Sequence, residues 1–399
     1  MHPLKSSVCT GFFILLSAGI LPHWHSTLRA AQQAAQDRPE QVEPFQRRPS
    51  GVKRDLVYVA TPGRRDYLQY GGVGILVFDA GRHFQFVKRI PTWDYPASQT
   101  PEMIKGIAAN ADTGLLYLST NYRLAAMDLK TEKMVWEQTY DGDCCDRAAV
   151  SPDGKILYAP TIIGHSWYVV DALTGKQIKK IEISEMSSPH NTIFSLDGSH
   201  VFMSGALLAV ADTKTNTIVK TIKFGNNVRP FTVNGRGTLI FADVNGLLGF
   251  EVADVKSGEV IQHVQVDGFG WAKDRVVEHS TPSHGIALSP DEKELWLGDL
   301  ANGYIHVFDA TVMPPKQMKS IRTRSNPSWI TFGLDGKYVF PSSGDVIDAA
   351  TKQVVGGFKD EIGRQVESEK ILEILFVDGK PVRIVDQFGV GQVRGPVAN

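Results

Sequence analysis

From Val57 to the C-terminus the chain runs in short stretches rich in Val, Ile, Tyr and Phe, broken by turns built from Gly, Asn, Asp and Ser. Alternation of that kind marks β-strands, whose side chains point to opposite faces at successive residues. One unit recurs: a strand, a turn of the Ser-Pro-Asp-Gly-Lys type, a second strand, then a third strand ending at an aspartate. The turns and second strands read Asn110-Ala-Asp-Thr-Gly-Leu-Leu-Tyr, Ser151-Pro-Asp-Gly-Lys-Ile-Leu-Tyr, Ser195-Leu-Asp-Gly-Ser-His-Val-Phe, Asn234-Gly-Arg-Gly-Thr-Leu-Ile-Phe, Ser289-Pro-Asp-Glu-Lys-Glu-Leu-Trp and Gly333-Leu-Asp-Gly-Lys-Tyr-Val-Phe. The third strands end at Asp128, Asp171, Asp212, Asp254, Asp309 and Asp348, and once earlier at Asp79.

A period of about 40 to 55 residues with four strands per unit is the range of propeller blades. The first unit begins at Val57 with what corresponds to a second strand, so its innermost strand is missing. A spare strand and turn, Ile371-Leu-Glu-Ile-Leu-Phe-Val-Asp-Gly-Lys, lies near the C-terminus. Placed beside Val57 it completes a seventh blade and removes the exposed sheet edges of an open array. The expectation is an all-β, seven-bladed β-propeller of four-stranded blades, closed by a C-terminal strand that completes blade 1.

The repeats resemble those of the YVTN-type propeller family, with Val57-Tyr-Val-Ala-Thr and Val346-Ile-Asp-Ala-Ala-Thr-Lys as close matches. That resemblance covers nearly the whole chain after the leader and implies the fold. It implies little about activity, because related propellers include lactone hydrolases, haem-binding proteins and proteins with no assigned reaction. A lactonase-like hydrolase or lyase is one expectation; a non-catalytic scaffold whose rim binds a protein or cell-envelope partner is the other.

Charge narrows the partners. Among 399 residues, 42 Lys and Arg face 43 Asp and Glu, so the formal net charge is −1. No broad basic field exists to draw nucleic acid or anionic lipid. At the N-terminus, Lys5, an apolar stretch from Gly11 to Pro22 and the small residues Ala30 and Ala31 have the layout of a cleavable export signal. We expect a signal peptide at 1–31, a flexible leader at 32–50, one propeller domain at 51–399, and a periplasmic or secreted protein with no transmembrane anchor after cleavage. Cleavage would remove Cys9, leaving Cys144 and Cys145 as either two buried reduced thiols or a disulfide between neighbours. No CxxC pair, CxxCH haem site, nucleophile elbow, phosphate loop or HExxH helix occurs.

Counting seven positions back from each turn aspartate reaches the place where the innermost strand enters the channel. The residues there are Lys105, Asp146, His190, Arg229 (aligned through Gly237), His284 and Ser328, with Glu369 and Lys370 near the matching place on the closing strand. Polar residues line the wet channel of many propellers, so the set has a purely structural explanation. It also suits a small polar or anionic ligand held by charge-assisted hydrogen bonds, with His190, His284 and Asp146 as candidate catalytic groups. Lys105, Arg229 and Ser328 are candidate ligand-binding residues, joined by His165, His279 and Trp271 on loops of the same face. The cofactor is unknown; a divalent metal on His190, His284 and Asp146 is the sharper version, opposed by the cationic Arg229 between the histidines. The long segment from Gly268 to Ser283 fits either a lid or an edge-covering loop.

Overall fold

Each repeated turn closes the hairpin between the first and second strands of a blade, and its sequence follows from that task. In the turn at Ser151, the Oγ accepts the Ile156 N–H at 3.0 Å, and Asp153 accepts the Lys155 N–H at 3.2 Å. The next residue must be left-handed: Gly114, Gly154, Gly198, Gly237 and Gly336 have φ from +66 to +71, and Glu292 fills the same position at +60. Only glycine adopts that conformation without a Cβ penalty. The aspartates ending the third strands act locally as well, as when Asp212 Oδ1 accepts the Thr215 N–H at 2.8 Å and holds the following turn.

The computed structural model describes residues 51–96, 98–141, 144–272 and 281–394. The expected signal at 1–31 and leader at 32–50 lie outside the described residues, as does His279. Seven antiparallel sheets stand around a central channel. The inner strands of the seven blades are Ile104–Asn110, Ala149–Val150, Thr192–Phe194, Val228–Val233, Ser283–Leu288, Ile330–Phe332 and Ile371–Val377, the last with a further strand on its channel side. Among the described residues there is no α-helix, hence none long and apolar enough to cross a membrane.

Neighbouring blades are held by the aromatic that recurs in each second strand. Tyr117, Tyr158, Phe202, Phe241, Trp296 and Phe340 are all buried. Two of them meet a ring of the adjacent blade edge-on, Tyr158 with Phe194 at 5.5 Å and Trp296 with Phe332 at 5.7 Å. Such contacts add to the large area each ring removes from water.

Closure occurs as the sequence implies: Ile371–Val377 pairs antiparallel with Lys53–Thr61, placing Glu373 opposite Val57 and Ile371 opposite Val59. The sheet of blade 1 carries one strand more than the four of its blade. Lys380–Val385 turns back and pairs with Ile371–Val377 on its channel side. Beyond it the chain crosses the lower channel, the end marked by the repeated turns. There Gly389 O accepts the Leu288 N–H at 2.8 Å and the Thr232 hydroxyl at 2.6 Å, and the Gly391 N–H donates to Val233 O at 2.9 Å. Phe388 and Val390 are buried in a cluster with Ile193, Phe231 and Trp329. The repeat pattern gives no sign of this arm because it belongs to no blade.

The closing strand also buries an acidic pair. Glu373 is 2% exposed, and burial first, then the neighbouring Asp55 carboxylate, raises its pKa from 4.5 to about 8. Asp55 is likewise raised by burial. Because the unfolded chain ionises Glu373 near 4.5 while the folded chain resists until about 8, this group's stabilising contribution is complete below 4.5 and is lost as pH rises through 8. Glu373→Gln mimics the protonated acid, so its stability relative to the parent should improve steadily from pH 5 to pH 8. Urea midpoints of the two proteins at both pH values check this, and a pH-independent difference would contradict it.

Candidate functional site

The upper end of the channel, where the inner strands begin, is shaped by bulges. In three blades the pairing with the second strand shifts at this end: between Ile104 and Gly106, between Val228 and Phe231, and between Ser283 and Ile286. The extra residue re-aims a side chain, and Lys105, Arg229 and His284 fall within these three shifts. Two glycines then allow the next blade to approach. A Cβ on Gly106 would lie 2.9 Å from the Arg147 Cα, and one on Gly285 would lie 2.7 Å from the Trp329 Cα.

Register residues from different blades meet here. Asp146 and Arg147 form an ion pair at 3.1 Å, and the Arg147 Nη1 lies 3.5 Å from the His190 Nε2. Arg147 also pairs with Glu369. Glu369 in turn accepts the Ser328 hydroxyl at 2.6 Å and the Lys370 ammonium at 2.7 Å, and Lys370 donates as well to Gly63 O at 3.0 Å. His190 and His284 stand edge to face at 5.4 Å, and the His284 Nδ1 meets Ser328 O at 2.7 Å. Beneath them lies Trp329, with the Arg147 guanidinium 4.0 Å above its ring. Its indole N–H donates downward to Gln387 O on the C-terminal arm.

The sequence suggests a wet ring, but the structure encloses most of it. His284, Ser328 and Lys370 are 0% exposed, Glu369 1%, Arg147 3% and His190 6%. Enclosure governs the proton affinities. Burial is the largest influence on His190 and depresses its pKa to about 3, Asp146 opposing and Arg147 and Arg229 reinforcing the shift, so the imidazole is neutral. Burial likewise lowers Lys370 to about 7, aided by Arg147 and opposed by Glu369. For Asp146, burial favours the acid, yet Arg147, His190, Lys105 and Lys370 outweigh it and hold the pKa below the usual value. Asp243 sits below the bulge on the next strand, accepting the Gly285 N–H at 2.8 Å, and burial raises its pKa well above the ordinary range.

Four basic groups, Lys105, Arg147, Arg229 and Lys370, thus surround two carboxylates, Asp146 and Glu369. Arg147 and Lys370 are paired with those carboxylates. Lys105 and Arg229 are half-buried, and among the described residues neither has a carboxylate within ion-pair distance. Arg229 donates its Nε–H to Asn245 at 2.7 Å.

Other sequence candidates lie elsewhere. His165 is exposed on its loop, and Trp271 packs half-buried against the Phe250 and Phe308 cluster. His190, His284 and Asp146 do not converge as a metal set, since Asp146 is turned to Arg147; among the described residues no three His, Cys, Asp or Glu side chains do so. Cys144 and Cys145, immediately before Asp146, are joined in a disulfide between neighbours rather than held as two thiols, and both are buried. Counting one residue per blade overlooks Arg147 and Trp329, each next to a register position. Considering the residue after each register position as well would have found them.

No known protein family matches the chain, and no curated protein matches it. Among solved structures, a chain of Kuenenia stuttgartiensis hydrazine synthase aligns over 66% of this chain and 98% of its own length. The identity is 17% and the TM-score 0.42, a similarity that carries no functional argument.

Proposed function

We propose that this is an exported propeller of the YVTN type that binds a small polar anion at the upper mouth of its channel. The observation that carries the reading is the pair of half-buried cations, Lys105 and Arg229, set beside a buried charge network and, among the described residues, with no carboxylate within ion-pair distance. An anionic group entering there would complete the charge balance through charge-assisted hydrogen bonds in a partly desolvated site, where such bonds are strong. Export is supported by the N-terminal pattern of Lys5, the apolar stretch and the small residues at 30 and 31. A lactonase-like hydrolytic or eliminating step would draw on His190 as proton acceptor, a weak base because burial holds its pKa at about 3.

A second reading has its own observation. Tyr67, Leu68, Tyr122 and Ile163 are exposed on upper loops of three consecutive blades. Apolar groups spread along a rim suit a protein partner better than a small molecule.

Calorimetric titration with a panel of small hydroxy acids and their lactones separates the two. Lys105→Ala and Arg229→Ala should each weaken binding of the best hydroxy acid about ten-fold to a hundred-fold, the loss expected for one charged hydrogen bond of roughly 1.5 to 3 kcal/mol. Their thermal midpoints should stay close to the parent's, since neither side chain holds a buried ion pair. A parent that binds none of the panel, or variants that bind as it does, would leave the rim reading in its place.

A further inference from the structure

Away from the channel, the outer half of blade 6 holds a serine, a histidine and an aspartate in a row. Glu294–Asp299 ends at Asp299, Tyr304–Asp309 carries His306, and the outermost strand Lys316–Arg322 carries Ser320 directly opposite His306. The His306 Nε2 lies 3.1 Å from the Asp299 Oδ2, and its Nδ1 lies 2.9 Å from the Ser320 Oγ. Asp299 and His306 are 0% exposed, whereas Ser320 is half-buried on the strand at the outer edge of the blade. Hydroxyl, imidazole and carboxylate thus form a chain whose hydroxyl end lies nearest solvent.

The surrounding contacts give each of these bonds a direction. A carboxylate only accepts, and Asp299 is held by Asn302, whose backbone N–H donates to Oδ1 at 2.9 Å and whose amide donates to Oδ2 at 2.8 Å. His306 therefore carries its proton on Nε2 and offers the Nδ1 lone pair to the Ser320 hydroxyl. Gln317 is oriented by Asp267: its Oε1 accepts the Asp267 N–H at 2.8 Å, and its Nε2 donates to Asp267 O at 3.2 Å. The same Nε2 lies 3.4 Å from the Ser320 Oγ. An amide N–H so placed can donate to the oxyanion formed on a carbonyl that this Oγ attacks. Phe269 meets the imidazole edge to face at 4.7 Å, and Tyr304 lies nearly parallel to it at 6.2 Å. The ring is held in one orientation, as a base acting on a neighbouring hydroxyl requires.

We propose that Ser320, His306 and Asp299 act as nucleophile, base and orienting carboxylate in a second site, apart from the upper mouth, that hydrolyses short-acyl esters. The Ser320 Oγ attacks the ester carbonyl as its proton passes to His306 Nδ1, and Asp299 stabilises the imidazolium. The tetrahedral intermediate then breaks its bond to the leaving alcohol, which takes that proton. Water attacks the acyl-serine and gives a proton to Nδ1; the carboxylic acid departs as the proton returns to the Ser320 Oγ. Ester and water are consumed, and acid and alcohol are released. The half-buried rings of Phe269 and Tyr304 beside the base offer a small apolar surface, which suits a short acyl chain.

The test uses the full chain. A fluorophosphonate adduct is located by mass spectrometry of the digested protein, and turnover is followed with p-nitrophenyl acetate. One phosphonyl group per chain, on Ser320, is expected. Ser320→Ala should lose the adduct and lower turnover at least about a hundred-fold, since removing a serine nucleophile costs that or more, with the thermal transition retained. His306→Gln can still donate to Asp299 but takes no proton, so it should lose labelling and turnover while staying folded. If the three side chains only tie the outer strands together, both variants lower the thermal midpoint and the parent carries no adduct. A parent without an adduct on Ser320, a result that needs no variant to fold, would overturn the proposal. So would turnover that survives Ser320→Ala, or turnover lost with His190→Ala in its place, which would put ester hydrolysis at the upper mouth.

Discussion

Removal of residues 369–399 abolishes the cooperative unfolding transition. The lost segment contains the closing strand, whose Ile371, Leu372, Ile374 and Phe376 are at most 7% exposed. At roughly 1.5 to 3 kcal/mol for each fully buried large apolar side chain, those four alone approach the whole stability of about 5 to 15 kcal/mol that a typical protein has. The truncated chain also bares the edge of Lys53–Thr61, whose partners from Lys53 to Val59 all come from that strand, inviting association between chains. Urea unfolding followed by far-ultraviolet circular dichroism and tryptophan fluorescence checks the result. A single transition at the parent's midpoint would refute the view that the last strand closes the ring. A shorter truncation, ending at Val385, keeps the closure but removes Phe388, Val390 and the acceptor of the Trp329 indole. It should lower the midpoint while leaving one transition.

Glu369→Ala is the point substitution expected to cost most. Its carboxylate binds Arg147, Lys370 and the Ser328 hydroxyl inside a site that is 1% exposed. Breaking a buried pair from one side leaves the other charge unpaired and typically costs about 3 to 5 kcal/mol. Here two cations lose their shared partner, so the upper end of that range applies. Arg147→Met combined with Glu369→Leu removes both members of the main pair and should cost less than Glu369→Ala alone, because fewer uncompensated charges stay buried. Denaturant midpoints of the parent and both variants check the order. A Glu369→Ala protein within about 1 kcal/mol of the parent would show that water reaches the ring freely, in keeping with a wet channel.

Much of this architecture is written in the sequence because its signals are local. The turns at Asn110, Ser151, Ser195, Asn234 and Ser289 fix their own hairpins through hydroxyl or amide acceptors and a left-handed residue, and in the turn at Gly333 the Asp335 carboxylate accepts the Lys337 N–H at 2.9 Å. The aspartates at 128, 171 and 212 fix the following turns in the same way. Repetition of a local rule suffices to count blades. The incomplete start at Val57 and the spare strand at Ile371 suffice to close them. The register that singles out Asp146, His190, His284 and Ser328 is local as well, since each lies a constant distance from its turn.

What tertiary structure decided depends on groups far apart in the chain. Arg147 and Glu369 are 222 residues apart and become partners only when blade 3 and the closing strand stand on the same ring. Whether the polar ring is wet or enclosed depends on Trp329 below it and on Gly285 and Gly106 admitting the neighbouring backbones, which no single repeat encodes. Lys380–Val385 and the arm beyond it follow no repeat, so their place in the channel is set by complementary packing of Phe388 and Val390 against residues of several blades, from Ile193 to Trp329. Periodicity fixed the number of blades, because each turn needs only its own residues; the contents of the channel were decided by contacts that exist only once all seven blades are in place.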